Sequence, residues 1–343
     1  MPERRTKKPE LIDFICAAEN NPGDFKTRME LVGAYQNHGQ ADRAMKELEG
    51  MAEEFPREPR LLIARGNLCL RNRKWGEAVN AYEAAVKGNV QTHEVCHNLG
   101  IACRGAGQNE NAAKAFSAAI MLKPDSLESH LCLASVLLET GKSEESVGIL
   151  EGLRPQHCAN VHLLQLLAAA CGKKNDYFKA MIYIEEALKQ APEDRNLLAL
   201  KAEVLLQANR LEEAAAEYER LIEKFGEAPL FLCNRGLVRE TMGDRQAALR
   251  DYDRSLEIDP DNIIARTNRG MLLAGTGATG RAINDFEEAL KAQPENTLLL
   301  HNLGVAFIKR GDFDKAKISL KKACRLKNKP SCDLLRKMSQ QEK

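Results

Sequence analysis

Seven side chains in the middle of this chain are of the types that most often bind metal or move protons: His93, Cys96, His97, His130, Cys132, Cys158 and His162. A zinc site needs three or four such groups converging, and compact sites announce themselves by CxxC or HExxH spacing. Neither spacing occurs, although His93 and His97 stand one helical turn apart. The expectation is no metal. Other chemistry is equally poorly supported: the chain has no GxGxxG after a strand, no GxxxxGK[ST] and no GxSxG. The run from Gly275 to Gly280 follows a helical pattern rather than a strand, so it reads as a turn and not a phosphate cradle. The carboxylate pair Glu287 and Glu288 reads as a solvated helix face. No catalytic residue, cofactor or enzymatic activity is expected.

What positions these residues is a repeat. Alanine recurs at 44, 78, 112, 180, 214, 248, 282 and 316, in steps of 34 or once 68, and the missing step holds the small Ser146. A fixed period of this size means stacked units, each completing its neighbour's core. With units starting at residue 25 and every 34 thereafter, the eighth position reads Val32, Gly66, Gly100, Ala134, Ala168, Ala202, Gly236, Gly270 and Gly304. The fifteenth reads Gly39, Arg73, Gly107, Gly141, Asn175, Asn209, Gly243, Gly277 and Gly311. Large apolar residues hold the twenty-fourth, among them Tyr82, Phe116, Tyr252 and Phe286, and Pro56, Pro124, Pro192, Pro260 and Pro294 close units. Gly or Asn at a helix end tolerates the left-handed backbone that stops a helix, and proline cannot continue one. Two helices per unit follow. The small eighth and twentieth positions let the pair approach closely, and the bulky twenty-fourth is expected to fill the gap between units. Leucine at Ala248 or Ala282 would overpack that contact by roughly 1–3 kcal/mol.

This pattern of small residues at 8, 20 and 27, a large apolar at 24 and Pro at 32 resembles the tetratricopeptide repeat (TPR) family. The resemblance implies an all-α fold, an α-α superhelix of nine helix–turn–helix units: 25–58, 59–92, 93–126, 127–160, 161–194, 195–228, 229–262, 263–296 and 297–330. A capping helix is expected at 10–24 and another at 331–343, with disorder at 1–9 and over the last five residues. The fourth unit departs most, with Gly148 and Gly152 in its second helix and Pro155 arriving early. A soft joint is expected at 148–160. Cys69, Cys103 and Cys171 share the eleventh position, a core position in the family, and read as small buried hydrophobes.

The resemblance also implies a concave groove lined by each unit's first helix. Its most regular row is Asn98, Asn234, Asn268 and Asn302, able to grip a peptide backbone through donor and acceptor together. Leu237, Met271 and Val305 flank the last three and could take apolar side chains. The plainer reading of the row is that Asn is common there in close-to-consensus repeats. Arg235 and Arg269 are expected to brace their own hairpins by pairing with Asp251 and Asp285, sixteen residues on. The clamp by which some family members hold chaperone tails finds one match in five at Cys233, Leu237, Asn268, Leu298 and Asn302, so a chaperone tail is not the expected partner.

The reading is therefore a non-enzymatic scaffold or adaptor that binds a peptide or helix of a partner protein during complex assembly. Its alternative is self-association, the basic end of one copy meeting the acidic middle of another. Residues 309–343 hold twelve Lys or Arg against four acids, in a chain whose net charge is only +1. Nucleic acid is a poor fit, since the groove lacks interleaved basic and aromatic residues. No apolar run is long enough to span a membrane and no signal peptide is evident, which makes the cytoplasm the default expectation.

Overall fold

The computed structural model describes residues 10–341 apart from residue 57; the expectation of disorder at 1–9 lies outside the described residues. All regular secondary structure among them is α-helix. After α1 (Leu11–Asn20), nine helices open successive units: α2 (Phe25–Asn37), α4 (Pro59–Arg71), α6 (His93–Gly105), α8 (Leu127–Glu139), α10 (Val161–Lys173), α12 (Arg195–Gln207), α14 (Pro229–Thr241), α16 (Ile263–Gly275) and α18 (Thr297–Arg310). Their partners are α3 (Ala41–Glu54), α5 (Trp75–Lys87), α7 (Asn109–Leu122), α9 (Ser143–Leu153), α11 (Tyr177–Gln190), α13 (Leu211–Phe225), α15 (Arg245–Ile258), α17 (Thr279–Ala292) and α19 (Phe313–Arg325). Both sets start in steps of 34.

The starts are so regular because each opening helix is capped by the residue before it. Asp24, Thr92, Ser126, Asn160, Asp194, Asn262 and Asn296 all accept a hydrogen bond from a first-turn backbone N–H. Such a cap satisfies a donor that the helix itself leaves orphaned, at about 1 kcal/mol each. Ala228 breaks the row, and there Pro229 at the first helical position needs no acceptor. The fifteenth position is uniformly left-handed, with φ from 56° at Arg73 to 92° at Gly243 and Gly311. Its Gly and Asn residues therefore do what a tight turn between helices requires.

The twenty-fourth position corrects one expectation. Its side chain lies inside its own hairpin, pressed on the eighth residue, rather than serving chiefly as filler between units. A Cβ added at Gly66, Gly100, Gly236 or Gly270 would come within 2.6–2.8 Å of Tyr82, Phe116, Tyr252 or Phe286 respectively. All four of those rings are essentially fully buried, so glycine is there for volume. Cys69, Cys103 and Cys171 are buried as expected.

The described residues form two compact units, dividing between Lys174 and Asn175. In the first, α4, α6, α8 and α10 pack side by side; in the second, α12, α14, α16 and α18 do so. The hairpin braces are present: Arg235 meets both oxygens of Asp251 at 2.7 and 3.0 Å, and Arg269 both oxygens of Asp285 at 2.5 and 2.9 Å. The aspartate side chains are only 4% and 7% exposed. That burial makes these pairs costly to break from one side, unlike surface pairs.

The C-terminal end differs from expectation. The closing helix α20 (Lys329–Gln341) starts two residues before the 34-residue step and continues through residues expected to be disordered. The early start follows a three-residue link, Leu326 to Asn328, with Lys327 left-handed. Cys324 and Cys332 are joined by a disulfide across it. Leu334, Leu335 and Met338 of α20 pack on a core that includes Leu303, Phe307 and Leu320.

Candidate functional site

The second compact unit presents a continuous face on α14, α16 and α18, each of which touches the next. Residues two, six and nine of a helix share one side because they are spaced by four and three. On α14 these are Leu230, Asn234 and Leu237; on α16, Ile264, Asn268 and Met271; on α18, Leu298, Asn302 and Val305. The opposite side of each helix is buried, with Phe231, Leu232 and Val238 on α14 and Leu299, Leu300 and Phe307 on α18. The face thus has three rows: an outer apolar row, an amide row and a second apolar row. Leu230, Ile264 and Leu298 are 56%, 61% and 53% exposed, and Leu237 and Met271 are also exposed. The three asparagines and Val305 are half-buried.

The amides are not equivalent. Asn268 donates through Nδ2 to the Cys233 sulfur at 3.6 Å. Burial pushes that thiol up to about 11, with the Asn268 amide opposing the shift. Asn234 lies beside the Tyr218 hydroxyl, which is buried without completing a hydrogen bond of good geometry. Asn302 has its Nδ2 buried with no partner. Next to it, His301 Nδ1 is 2.9 Å from the Ser331 hydroxyl, and burial holds its pKa below the usual histidine range.

Asn98 belongs to the other compact unit, on α6. Its Nδ2 donates to Asn67 Oδ1 at 3.2 Å, and the same oxygen accepts from the Tyr82 hydroxyl at 2.6 Å. There the asparagine serves packing between α4 and α6. The row Leu230, Ile264 and Leu298 escaped the sequence reading, in which Leu298 figured only as a mismatch to a clamp. The available signal was an apolar residue at both the second and ninth positions of the opening helices of three consecutive units.

Two of the histidines singled out by type, His93 and His97, are engaged in a polar cluster of their own, whereas His130 meets the Ser126 carbonyl of its own helix cap and His162 is exposed. His93 Nε2 lies 3.0 and 3.1 Å from the Ser126 and Ser129 hydroxyls, and His97 Nδ1 lies 2.9 Å from Ser129. The two rings stack with centroids 5.9 Å apart, and the His97 ring meets Phe116 edge-on. Burial lowers the His97 pKa, with Glu128 opposing. Among the described residues no three His, Cys, Asp or Glu side chains converge as metal ligands would. Gly277 occupies the left-handed turn between α16 and α17.

Comparison with known proteins follows this geometry. Sequence models described as tetratricopeptide repeat match residues 98–225, 30–92, and the three stretches 231–262, 264–296 and 299–330. A human protein, the protein O-mannosyl-transferase TMTC1, is 26% identical over 167 residues, which is 47% of this chain and 19% of that protein's length. A crystal structure of a tetratricopeptide repeat protein from Parabacteroides merdae aligns with TM-score 0.63 and 14% identity, covering 72% of this chain and 98% of that one. Yeast Tom70 aligns with TM-score 0.62 and 16% identity over 94% of this chain and 82% of its own. Both structural likenesses speak for the fold.

Proposed function

Because the chain belongs to the tetratricopeptide repeat family, whose repeats build protein-interaction scaffolds, we propose that it is a non-catalytic adaptor. It takes an extended peptide or a helix of a partner protein on the face of α14, α16 and α18. The observation that carries this reading is the pair of exposed apolar rows beside the amide row, Leu230, Ile264 and Leu298 on one side and Leu237 and Met271 on the other. The half-buried asparagines between them carry side-chain donors and acceptors suited to a peptide backbone. Exposed leucine, isoleucine and methionine on either side supply the apolar contact that a peptide's side chains need. With 19% of the human transferase's length matched, this chain takes no activity from that likeness.

The test is direct. Peptides selected from a displayed library against the full chain are measured on the parent and on the triple variant Asn234→Ala, Asn268→Ala, Asn302→Ala. Each lost amide contact is worth about 1 kcal/mol, so affinity should fall by at least tenfold while the helical signal stays. Unchanged affinity removes the amide row from the mechanism.

Self-association is the second reading, favoured by the outer face of α19, where Lys321, Lys322 and Arg325 follow one another with no acid after Asp314. Sedimentation at rising salt separates the two, since charge-driven oligomers dissociate and a monomeric adaptor does not change. No helix among the described residues is long and apolar enough to cross a membrane.

A further inference from the structure

We infer that the Cys324–Cys332 disulfide is an exchange site for anionic low-molecular-weight thiols of the glutathione class, and that opening it releases the closing helix α20. The inference goes beyond the groove reading and does not depend on it. The bond ties the last turn of α19 to the first turn of α20. Both cysteines are half-buried, whereas Cys69, Cys96, Cys103 and Cys233 are sealed in the core.

Charge around the bond is one-sided. Lys321, Lys322, Arg325, Lys327 and Lys329 are all exposed and lie within three residues of one sulfur or the other. Equivalent positions on earlier outer helices carry both signs: Asp253, Arg254 and Glu257 on α15, Glu287, Glu288 and Lys291 on α17. Three of those acids are used in ion pairs, Glu257 with Arg254, Glu288 with Lys291 and Asp253 with Arg269. From residue 315 to 341 the one acid is Asp333, and its carboxylate meets Arg336 at 3.3 Å. Helix ends explain Lys322 and Arg325, since cations suit the last turn of α19. They do not explain Lys329 at the first position of α20, where a cation opposes the helix dipole. A local field of this sign concentrates an anionic thiol and favours its thiolate.

The same helix ends set the direction of attack. Cys332, in the first turn of α20, is stabilised as a thiolate; Cys324, in the last turn of α19, is not. The better leaving group is therefore Cys332. An incoming thiolate attacks Cys324 Sγ, the Cys324–Cys332 bond breaks, and its electron pair leaves on Cys332 Sγ. A second thiolate attacks the adduct sulfur, forming the small-molecule disulfide and returning Cys324 as a thiolate. Two thiols are oxidised to one disulfide, the protein disulfide is reduced to two thiols, and the two protons pass to the cysteines. Helix α20 then keeps its packing of Leu334, Leu335 and Met338, the Ser331 contact with His301 and the Asn328 cap on its first turn, without the covalent tie to α19.

The experiment uses the full oxidised chain with glutathione and with glutathione ethyl ester, the same thiol with one fewer negative charge. Opening is followed by acid quench and intact mass, the adduct by peptide mapping, and α20 by hydrogen exchange. Glutathione should react about threefold faster at low salt, with the two rates converging near 1 M salt. The adduct should map to Cys324, residues 329–341 should gain exchange, and the pair Lys327→Gln, Lys329→Gln should remove most of the preference. Free thiols at Cys324 and Cys332 in the oxidised chain, an adduct on Cys332, or equal rates at low salt would each overturn the inference. The rate comparison needs no variant, so a folding defect in the lysine pair leaves the outcome decisive.

Discussion

Nine turn residues hold positive φ at the fifteenth position, and one of them is Arg73 at 56°. A side chain with a Cβ pays roughly 1–2 kcal/mol for that backbone, which glycine avoids at some cost in unfolded-state entropy. Arg73→Gly should therefore stabilise the chain by about 0.5–1 kcal/mol in a urea melt. A lower midpoint would mean that the arginine makes contacts worth more than its backbone costs. The reverse holds at Gly66 and Gly100, where φ is ordinary and the missing Cβ makes room for Tyr82 and Phe116. Asparagine shows the same dependence on setting: Asn98 spends its amide on Asn67, while Asn302 leaves one unspent.

Helix α9 carries two glycines and is the shortest of the nine helices that close the units. Gly148 and Gly152 each have open space where a Cβ would stand. Neither volume nor left-handed backbone requires glycine there, so each Gly→Ala change should add about 1 kcal/mol of stability. The same reasoning predicts that limited proteolysis cuts first between Gly148 and Asn160, and that the double alanine variant delays the cut. First cuts elsewhere would abolish the proposed joint. The division into compact units falls later, after α10, so a soft helix and a boundary between packed units are separate properties.

At the level of the whole molecule, the buried His97 and the half-buried His301 link stability to pH. Burial lowers the pKa of His97 and of His301 below the usual 6.5. Unfolding restores the ordinary value, so the unfolded chain binds more protons as pH falls through that range. Stability contributed by the neutral rings is present above pH 6.5 and is lost as pH falls toward their folded values. Urea midpoints should drop between about pH 7 and 5, and the drop should shrink in His97→Gln and His301→Gln. A flat profile in the parent would show that the two rings titrate alike folded and unfolded.

The helical class, the 34-residue phase and the starts of the paired helices were legible in the sequence because their causes are local. A cap at Asn160, a left-handed turn at Gly107 and a proline stop each act within a few residues of chain. The rows of the candidate face were partly legible for the same reason, since helical spacing alone puts Asn268 and Met271 on one side. Contacts between helices were not. Only the tertiary structure placed Phe286 over Gly270, paired Ser126 and Ser129 with His93, left Asn302 without an acceptor, and brought Cys332 to Cys324. Those outcomes depend on how far apart two helices sit and how each is rotated, and spacing along one strand of sequence does not encode the distance to another.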